Sequence, residues 1–168
     1  MSGYSGSTTP IEHRDCWRTP AYIVRYAEHI LGGIDFDTAC TSENAVTTPI
    51  WLGTGDCDSL AVDWQGRCWC NPPYSLISPW AEKAIGSNAV TAFLIPTPNG
   101  ESYYSELFKH SHEISIIGRI SFIGADGKPK SGNNRGSSLF IVNGYAQGTR
   151  SFVHREELIA KYGKAVQT

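Results

Sequence analysis

The stretch Asn71-Pro72-Pro73-Tyr74 places the strictest local constraint on how this chain can fold. Two consecutive prolines fix φ and lack N–H donors, so the stretch cannot lie inside a helix or a central strand. It directly follows Cys68-Trp69-Cys70, a short apolar run that is typical of a β-strand. The pattern therefore predicts a strand whose carboxyl end runs into a rigid, extended turn.

This turn presents two hydrogen-bond acceptors beside an aromatic face. The acceptors are the side-chain oxygen of Asn71 and the carbonyl oxygen of Pro72, and the aromatic face belongs to Tyr74. Together they can hold a flat heterocycle that carries an amino group. The alternative is a purely structural Pro-Pro turn with Tyr74 in the core.

The length of 168 residues predicts one domain with a proper core. Residues 1–14 begin with a Ser-, Gly- and Thr-rich stretch and are expected to form a flexible tail, which leaves residues 15–168 as the single domain. No apolar run is long enough to span a membrane, and no signal peptide is recognisable, so we expect a cytoplasmic protein.

The five cysteines support a reducing compartment, because their number is odd and they are spread along the chain. Cys68 and Cys70 are two residues apart and should point to the same side of a strand. Neither a second close pair nor a suitably spaced histidine completes a zinc site. We therefore expect buried, apolar cysteines and no bound metal.

Helical and strand-like patterns alternate along the chain, which predicts an α/β fold. The first helix should have Thr19 as its N-cap and Pro20 as its first residue, and it should end at Gly32-Gly33. The mixed sheet should be mostly parallel and should end in an antiparallel C-terminal hairpin. Three more helices are expected, one capped by Ser78-Pro79, one capped by Asn99 and one over residues 154–162. Strands are expected within residues 33–40, 67–70, 89–95, 114–123 and 138–142.

Several of the predicted strands end in polar side chains. Asp35 and Asp37, then Asp56 and Asp58, then Asn71 would meet at one edge of an open sheet and form a cleft. Carboxylates suit an adenosine-type cofactor, since they accept hydrogen bonds from ribose hydroxyls, amines or ammonium groups. The sequence contains neither of the two glycine-rich phosphate-binding motifs, which argues against a nucleoside triphosphate or a dinucleotide.

The order of these motifs resembles that of the S-adenosylmethionine-dependent DNA N6-adenine methyltransferases, and most of all the small Dam-like family of phages and prophages. The resemblance implies a compact Rossmann-like class I methyltransferase fold and an enzyme that acts on double-stranded DNA in the cytoplasm of a bacterial host. It leaves the oligomeric state open, and a monomer would suffice. The matching segments are Thr19-Pro20, Asp37-Thr38-Ala39-Cys40, Asp58-Ser59-Leu60 and Asn71-Pro72-Pro73-Tyr74.

The resemblance also implies roles for individual residues. An acid at the place of Asp58 would bind the adenine of the cofactor, with Asp56 as the competing candidate. Trp17 would contact the cofactor, and the equally weighted alternative is that it anchors the core. The Gly-x-Gly that usually follows the first strand is absent from residues 38–44, so the cofactor contacts of that loop are open. Catalysis would depend on Asn71, Pro72, Pro73 and Tyr74, and cofactor binding on Trp17, Thr19, Pro20, Asp37, Ala39, Cys40 and Asp58.

In this interpretation the target adenine is flipped out of the duplex, its amine is held by Asn71 and Pro72, and its ring stacks on Tyr74. Two alternatives remain at this point. The same turn could hold another planar amine, such as N2 of an RNA guanine or a protein glutamine. The chain could also be a catalytically silent DNA-binding protein, although the intact motif argues against it.

Positive charge is concentrated in the second half of the sequence, although the whole chain carries a net charge of −2. A glycine-rich polar connection over residues 124–136 is longer than a hairpin requires. We predict that cations in and near this connection bind DNA, and the residues concerned are Arg119, Lys128, Lys130 and Arg135. The alternative is that the connection is a solvated surface loop with no such role.

Overall fold

The computed structural model describes residues 17–40, 45, 58–130 and 135–164. These residues form a mixed β-sheet with helices on both faces. The strands are β1 (Phe36–Asp37), β2 (Arg67–Cys70), β3 (Val90–Pro96), β4 (Ser111–Ile117), β5 (Ser137–Val142) and β6 (Thr149–His154). The helices are α1 (Ala21–Leu31), α2 (Ile77–Gly86), α3 (Tyr104–Lys109) and α4 (Arg155–Tyr162).

The strands are arranged in the order β1-β2-β3-β5-β4-β6. The pairs β1–β2, β2–β3 and β4–β6 are parallel, whereas β5 is antiparallel to both β3 and β4. All strands except β5 therefore end at the same edge of the sheet, which we call the carboxyl edge. The Asn71–Tyr74 turn leaves the sheet at this edge, and so does the connection between β4 and β5.

The predicted α/β class and the mostly parallel mixed sheet are confirmed, as is the antiparallel pairing of the strands near residues 114 and 138. One strand prediction is wrong and one strand was missed. The strand expected over residues 114–123 begins at Ser111 and ends at Ile117, since Gly118 adopts a positive φ of 97°. Strand β6 was not predicted, because its alternating pattern is polar and exposed and its support comes from parallel pairing with β4.

Each face of the sheet buries its own apolar core. Along β2, Trp69 points to the face covered by α1 and α4, whereas Cys68 and Cys70 point to the face covered by α2 and α3. This alternation is the two-residue period of a strand, and it confirms that both cysteines share a face and are fully buried. Because burial removes water from the thiolate, it raises the pKa of the Cys68 thiol to about 12.

Helix α1 begins one residue later than predicted. It starts at Ala21 with Pro20 at the cap position, and Thr19 makes no cap because its hydroxyl lies against Asn71 instead. Its end is as predicted, since Gly32 adopts the left-handed conformation. Helix α4 lies within one residue of its predicted bounds.

The predicted caps of the two middle helices are wrong. Helix α2 begins at Ile77 after Leu76, so Ser78 lies inside its first turn. Helix α3 begins at Tyr104, with Tyr103 in place of Asn99 at the cap position. Within the described residues, no helix is long and apolar enough to cross a membrane.

A bidentate ion pair joins the start of β1 to the start of β2. The Arg67 side chain donates to both carboxylate oxygens of Asp35, at 2.9 Å to Oδ2 and 2.7 Å to Oδ1, and the backbone N–H of Arg67 donates to Oδ2 at 3.0 Å. These hydrogen bonds lower the pKa of Asp35 from 3.8 to about 2. Asp35 is therefore occupied in the sheet and does not take part in the predicted cleft.

Asp35→Asn is expected to lower the thermal midpoint by a few degrees at pH 7, because it removes the charge-assisted bonds from Arg67. The folded pKa is depressed, so this stabilisation is complete above pH 4 and disappears as the pH falls from about 4 to about 2. Thermal unfolding measured between pH 2 and pH 7 tests this, with the exposed Asp63→Asn as the matched control. A constant difference between Asp35→Asn and wild type across that range would contradict the assignment.

Candidate active site

The Asn-Pro-Pro-Tyr segment forms a turn directly after β2. The backbone N–H of Leu76 donates to the Pro73 carbonyl at 3.0 Å, which closes the turn before α2 begins. Pro72 is buried, and none of the hydrogen bonds within the described residues involves its carbonyl. The turn predicted from the two prolines is therefore confirmed, and the Pro72 carbonyl, one of its two predicted acceptors, has no donor among the described residues.

The side-chain amide of Asn71 is held at one end only. Its Nδ2 donates to the Thr19 hydroxyl at 3.2 Å, across 52 residues of sequence. Its Oδ1 is buried and accepts no hydrogen bond from any described residue. The structure thus presents a buried acceptor at the carboxyl edge whose orientation is set by a neighbouring hydroxyl.

Tyr74 lies at the rim of this turn and is 38% exposed. Its ring meets the ring of Phe122 edge-on, with 6.2 Å between centroids and 81° between planes. Although part of the side chain is accessible, desolvation raises the pKa of the Tyr74 phenol above its usual value of 10.0. The hydroxyl therefore stays protonated at neutral pH, and Tyr74 offers an aromatic surface rather than a base.

Phe122 is the residue of this site that sequence reasoning missed. It is 4% exposed and belongs to the apolar core under α1 and α4. In the sequence it looked like part of a longer strand, because Ile120 and Phe122 alternate with polar residues. Only the return of the β4–β5 connection to the turn reveals its contact with Tyr74.

The segment before α1 is fixed against the β4–β5 connection. Arg18 and Ile123 form a two-way backbone bridge, at 2.8 Å and 2.9 Å. Thr19 is 7% exposed and Pro20 is buried, so the chain next to Asn71 has little freedom. Trp17 is half-buried against the core, which supports its alternative interpretation as an anchor.

The loop after β1 lies beside the same turn. The backbone N–H of Thr38 and its hydroxyl both donate to the Trp69 carbonyl, at 2.9 Å and 3.0 Å. This places Asp37, which is only 2% exposed, next to the end of β2. The Asp37 Oδ1 accepts the backbone N–H of Ala39 at 3.3 Å. The predicted neighbourhood of Asp37 and the Asn71 turn is confirmed.

Cys40 ends this loop and is half-buried. Burial, followed by the nearby negative charge of Asp37, raises the pKa of its thiol to about 12. The thiol is therefore uncharged at neutral pH and is a poor nucleophile.

The acid assigned to the cofactor adenine makes a hydrogen bond within its own segment. Asp58 is exposed, and its Oδ1 accepts the backbone N–H of Leu60 at 3.0 Å, which forms a local turn. Its competitor Asp56 lies outside the described residues, as do residues 41–44 of the loop without glycine. The choice between the two acids stays a prediction.

The four predicted DNA-binding cations all lie in the β4–β5 connection (residues 118–136), part of which forms a small hairpin closed by a bridge between Ile123 and Pro129. Arg119 and Lys128 are exposed. Lys130 pairs with Asp126 at 2.7 Å, and Arg135 pairs with Glu101 at 3.0 Å. Their connection leaves the sheet at the same edge as the Asn71 turn, and two of the four cations have part of their charge compensated.

Known proteins match this sequence over most of its length. Residues 6–165 match the family described as DNA N-6-adenine-methyltransferase (Dam). A DNA N-6-adenine-methyltransferase of Escherichia phage T1 is 31% identical over 174 residues, which cover 90% of this chain and 72% of the relative. Another, from Haemophilus phage HP1 (strain HP1c1), is 31% identical over 144 residues, which cover 80% of this chain and 82% of the relative.

These matches confirm the resemblance drawn from the motif series. The family match includes the Asn71–Tyr74 turn, the Asp37 loop and the whole β4–β5 connection. This chain belongs to the Dam family of DNA N-6-adenine-methyltransferases.

Proposed function

We propose that this chain transfers a methyl group from S-adenosylmethionine to the N6 amine of an adenine flipped out of double-stranded DNA. The buried Oδ1 of Asn71, which has no partner among the described residues, carries the proposal. A buried acceptor without a partner costs about 1–3 kcal/mol, so its presence favours a ligand that donates to it. Incubation with labelled S-adenosylmethionine and unmethylated DNA, followed by nucleoside analysis, tests the proposal.

The turn can raise the reactivity of an aromatic amine. The N6 lone pair of adenine is delocalised into the ring, so the free amine is a poor nucleophile. When its two N–H bonds donate to Asn71 Oδ1 and to the Pro72 carbonyl, electron density shifts onto nitrogen and the lone pair points toward the methyl donor. The surplus proton leaves to water after transfer, so no separate base is required first.

Entry of the base requires a small rearrangement. Asn71 Oδ1 is out of reach of solvent in the structure, so a group at the rim must move before an amine can approach it. Tyr74 is the exposed member of the motif, and its edge-on contact with Phe122 is the nearest aromatic contact to displace. We propose that the flipped base stacks on Tyr74 and replaces part of this contact.

The residues beside the turn fit the proposed cofactor in their chemistry. S-adenosylmethionine supplies a methyl group on a sulfonium, which needs no further activation. Trp17, Pro20, the loop of Asp37, Ala39 and Cys40, and the backbone of Thr19, whose hydroxyl is taken by Asn71, would hold its methionine end. The Asp37 carboxylate would accept from the ammonium group. Asp58 or Asp56 would accept from its adenine amine. Because the Cys40 thiol is protonated, it does not compete for the methyl group.

We propose that the β4–β5 connection contacts the DNA backbone. This connection carries the exposed cations Arg119 and Lys128 and leaves the sheet at the same edge as the Asn71 turn. A duplex bound there would present its flipped base to the turn. Relatives of this chain are encoded by phages, which supports a site of action in the cytoplasm of an infected bacterium.

The double variant Lys128→Ala/Lys130→Ala is expected to weaken DNA binding and to flatten its salt dependence. The plot of log K against log salt has a negative slope, and each lost phosphate contact reduces the magnitude of this slope by about 0.9. Lys130 is already paired with Asp126, so the expected change is nearer one contact than two. Binding to duplex DNA at several salt concentrations measures it.

The matched control for this pair is Lys161→Ala/Lys164→Ala, which removes one exposed lysine from the last turn of α4 and another just beyond its end. An unchanged salt slope in the Lys128/Lys130 variant, or an equal change in both double variants, would contradict a role for the β4–β5 connection.

A further inference from the structure

We infer that the Thr19 hydroxyl is a positioning group that holds the Asn71 amide with its oxygen toward the target amine, an inference that rests on the proposed function. The two side chains lie 52 residues apart in sequence, and Asn71 Nδ2 donates to Thr19 Oγ1 at 3.2 Å. The other end of the same amide is the buried oxygen without a partner. The hydroxyl and the target amine would thus engage opposite ends of one planar group.

The orientation of this amide decides whether the site can work. The χ2 torsion of asparagine is broad and roughly two-fold, so rotation exchanges Oδ1 and Nδ2 at little cost when nothing holds them. In the exchanged orientation, Nδ2 would present N–H donors to an amine that itself donates. The amine would then lose one of its two acceptors and would be repelled at the same position.

The Thr19 hydroxyl can hold this amide in place because its own position is fixed, and in the observed orientation it accepts from Nδ2. The exchanged orientation would require the hydroxyl to turn and donate to Oδ1 instead. Thr19 is 7% exposed, and its neighbour Arg18 is bonded to Ile123 through both backbone groups, at 2.8 Å and 2.9 Å. On the other side, Pro20 restricts the backbone and occupies the cap position of α1. The acceptor is therefore pre-organised before substrate binds, which is the requirement for an accurate site.

Three variants separate this role from direct cofactor binding. Thr19→Val keeps the shape of the side chain and removes the acceptor, whereas Thr19→Ser keeps the acceptor. Thr91→Val is the matched control, since Thr91 is a fully buried threonine of β3 whose hydroxyl has no partner among the described residues. We expect its activity to equal that of wild type.

The experiment measures single-turnover methyl transfer by the full chain to unmethylated plasmid DNA at saturating labelled S-adenosylmethionine, and cofactor affinity by calorimetry. Thr19→Val is expected to lower the transfer rate constant about 10-fold, with the cofactor Kd changed by less than about 3-fold. Thr19→Ser should restore most of the rate. An unchanged rate constant with a weakened cofactor Kd in Thr19→Val would overturn the inference and assign Thr19 to the cofactor.

A second readout does not depend on catalysis. The side-chain amide signals of Asn71 in ¹⁵N-labelled protein, identified by their loss in Asn71→Ala, should shift in Thr19→Val and stay in place in Thr91→Val. Asn71 signals that are the same in Thr19→Val and wild type would overturn the inference. If wild type transfers no label to DNA, the proposed function fails, and the amide signals still report whether Thr19 holds Asn71.

Discussion

Asn71→Ala is expected to reduce methyl transfer by about 10³-fold while the cofactor Kd changes by less than about 3-fold. The variant removes an acceptor that acts on the amine as it becomes a nucleophile, and loss of one such preorganised group typically costs about 10²–10³ in rate. The Pro72 carbonyl alone would hold a single N–H bond, which leaves the lone pair poorly aimed. Single-turnover kinetics and calorimetry measure the two quantities separately.

The stability of this variant provides an internal check. Asn71 Oδ1 is buried without a partner among the described residues, so removing it stabilises the folded state. The variant also loses the hydrogen bond from Nδ2 to Thr19, which destabilises the folded state by a similar amount. Asn71→Ala should therefore unfold at a temperature close to that of wild type. Asn88→Ala, an exposed asparagine at the opposite edge of the sheet, is the matched control and should be fully active. A strong loss of cofactor binding in Asn71→Ala would contradict the assigned role.

The second large effect is expected at Tyr74. Tyr74→Ala removes the aromatic surface on which the flipped base stacks, and stacking contributes about 1–3 kcal/mol per base, so activity should fall about 10- to 100-fold. Tyr74→Phe keeps this surface. Within the described residues the Tyr74 hydroxyl makes no hydrogen bond, so we expect the Phe variant to stay within about 3-fold of wild type.

The ratio kcat/KM for DNA measures this difference, with Tyr145→Ala as the matched control. Tyr145 is 61% exposed and stacks on His112 away from the carboxyl edge. Equal losses in Tyr74→Ala and Tyr74→Phe would assign the role to the hydroxyl instead of the ring. Because desolvation raises the pKa of the phenol, ionisation of Tyr74 should leave no limb in the pH profile between pH 7 and pH 9.

Local chemistry made part of this site predictable. Two prolines after an apolar run specify a strand that ends in a rigid turn, whatever the rest of the chain does. The strand ends at Asp37 and Asn71 could be placed together because parallel strands share a carboxyl edge. The glycines after α1 stop the helix through backbone conformation alone, so that boundary was also correct.

Contacts between distant segments were not predictable from these rules. A threonine before a helical pattern predicts an N-cap, but tertiary packing directs the Thr19 hydroxyl to Asn71 and leaves Pro20 at the cap. Phe122 showed only the alternation of a strand, and its partner Tyr74 lies in another segment. Strand β6 has little apolar pattern of its own and is specified by its pairing with β4. Periodicity identifies the face on which a residue lies and does not identify its partner.

The most direct test of the account is the identity of the methylated nucleoside. Unmethylated genomic DNA is incubated with the purified chain and labelled S-adenosylmethionine, digested to nucleosides and separated by chromatography with mass detection. We predict N6-methyladenine as the labelled product, with label reduced to background in Asn71→Ala. Label confined to cytosine, or appearing only when RNA or protein replaces DNA, would contradict the assignment of the Asn71 turn to a flipped adenine.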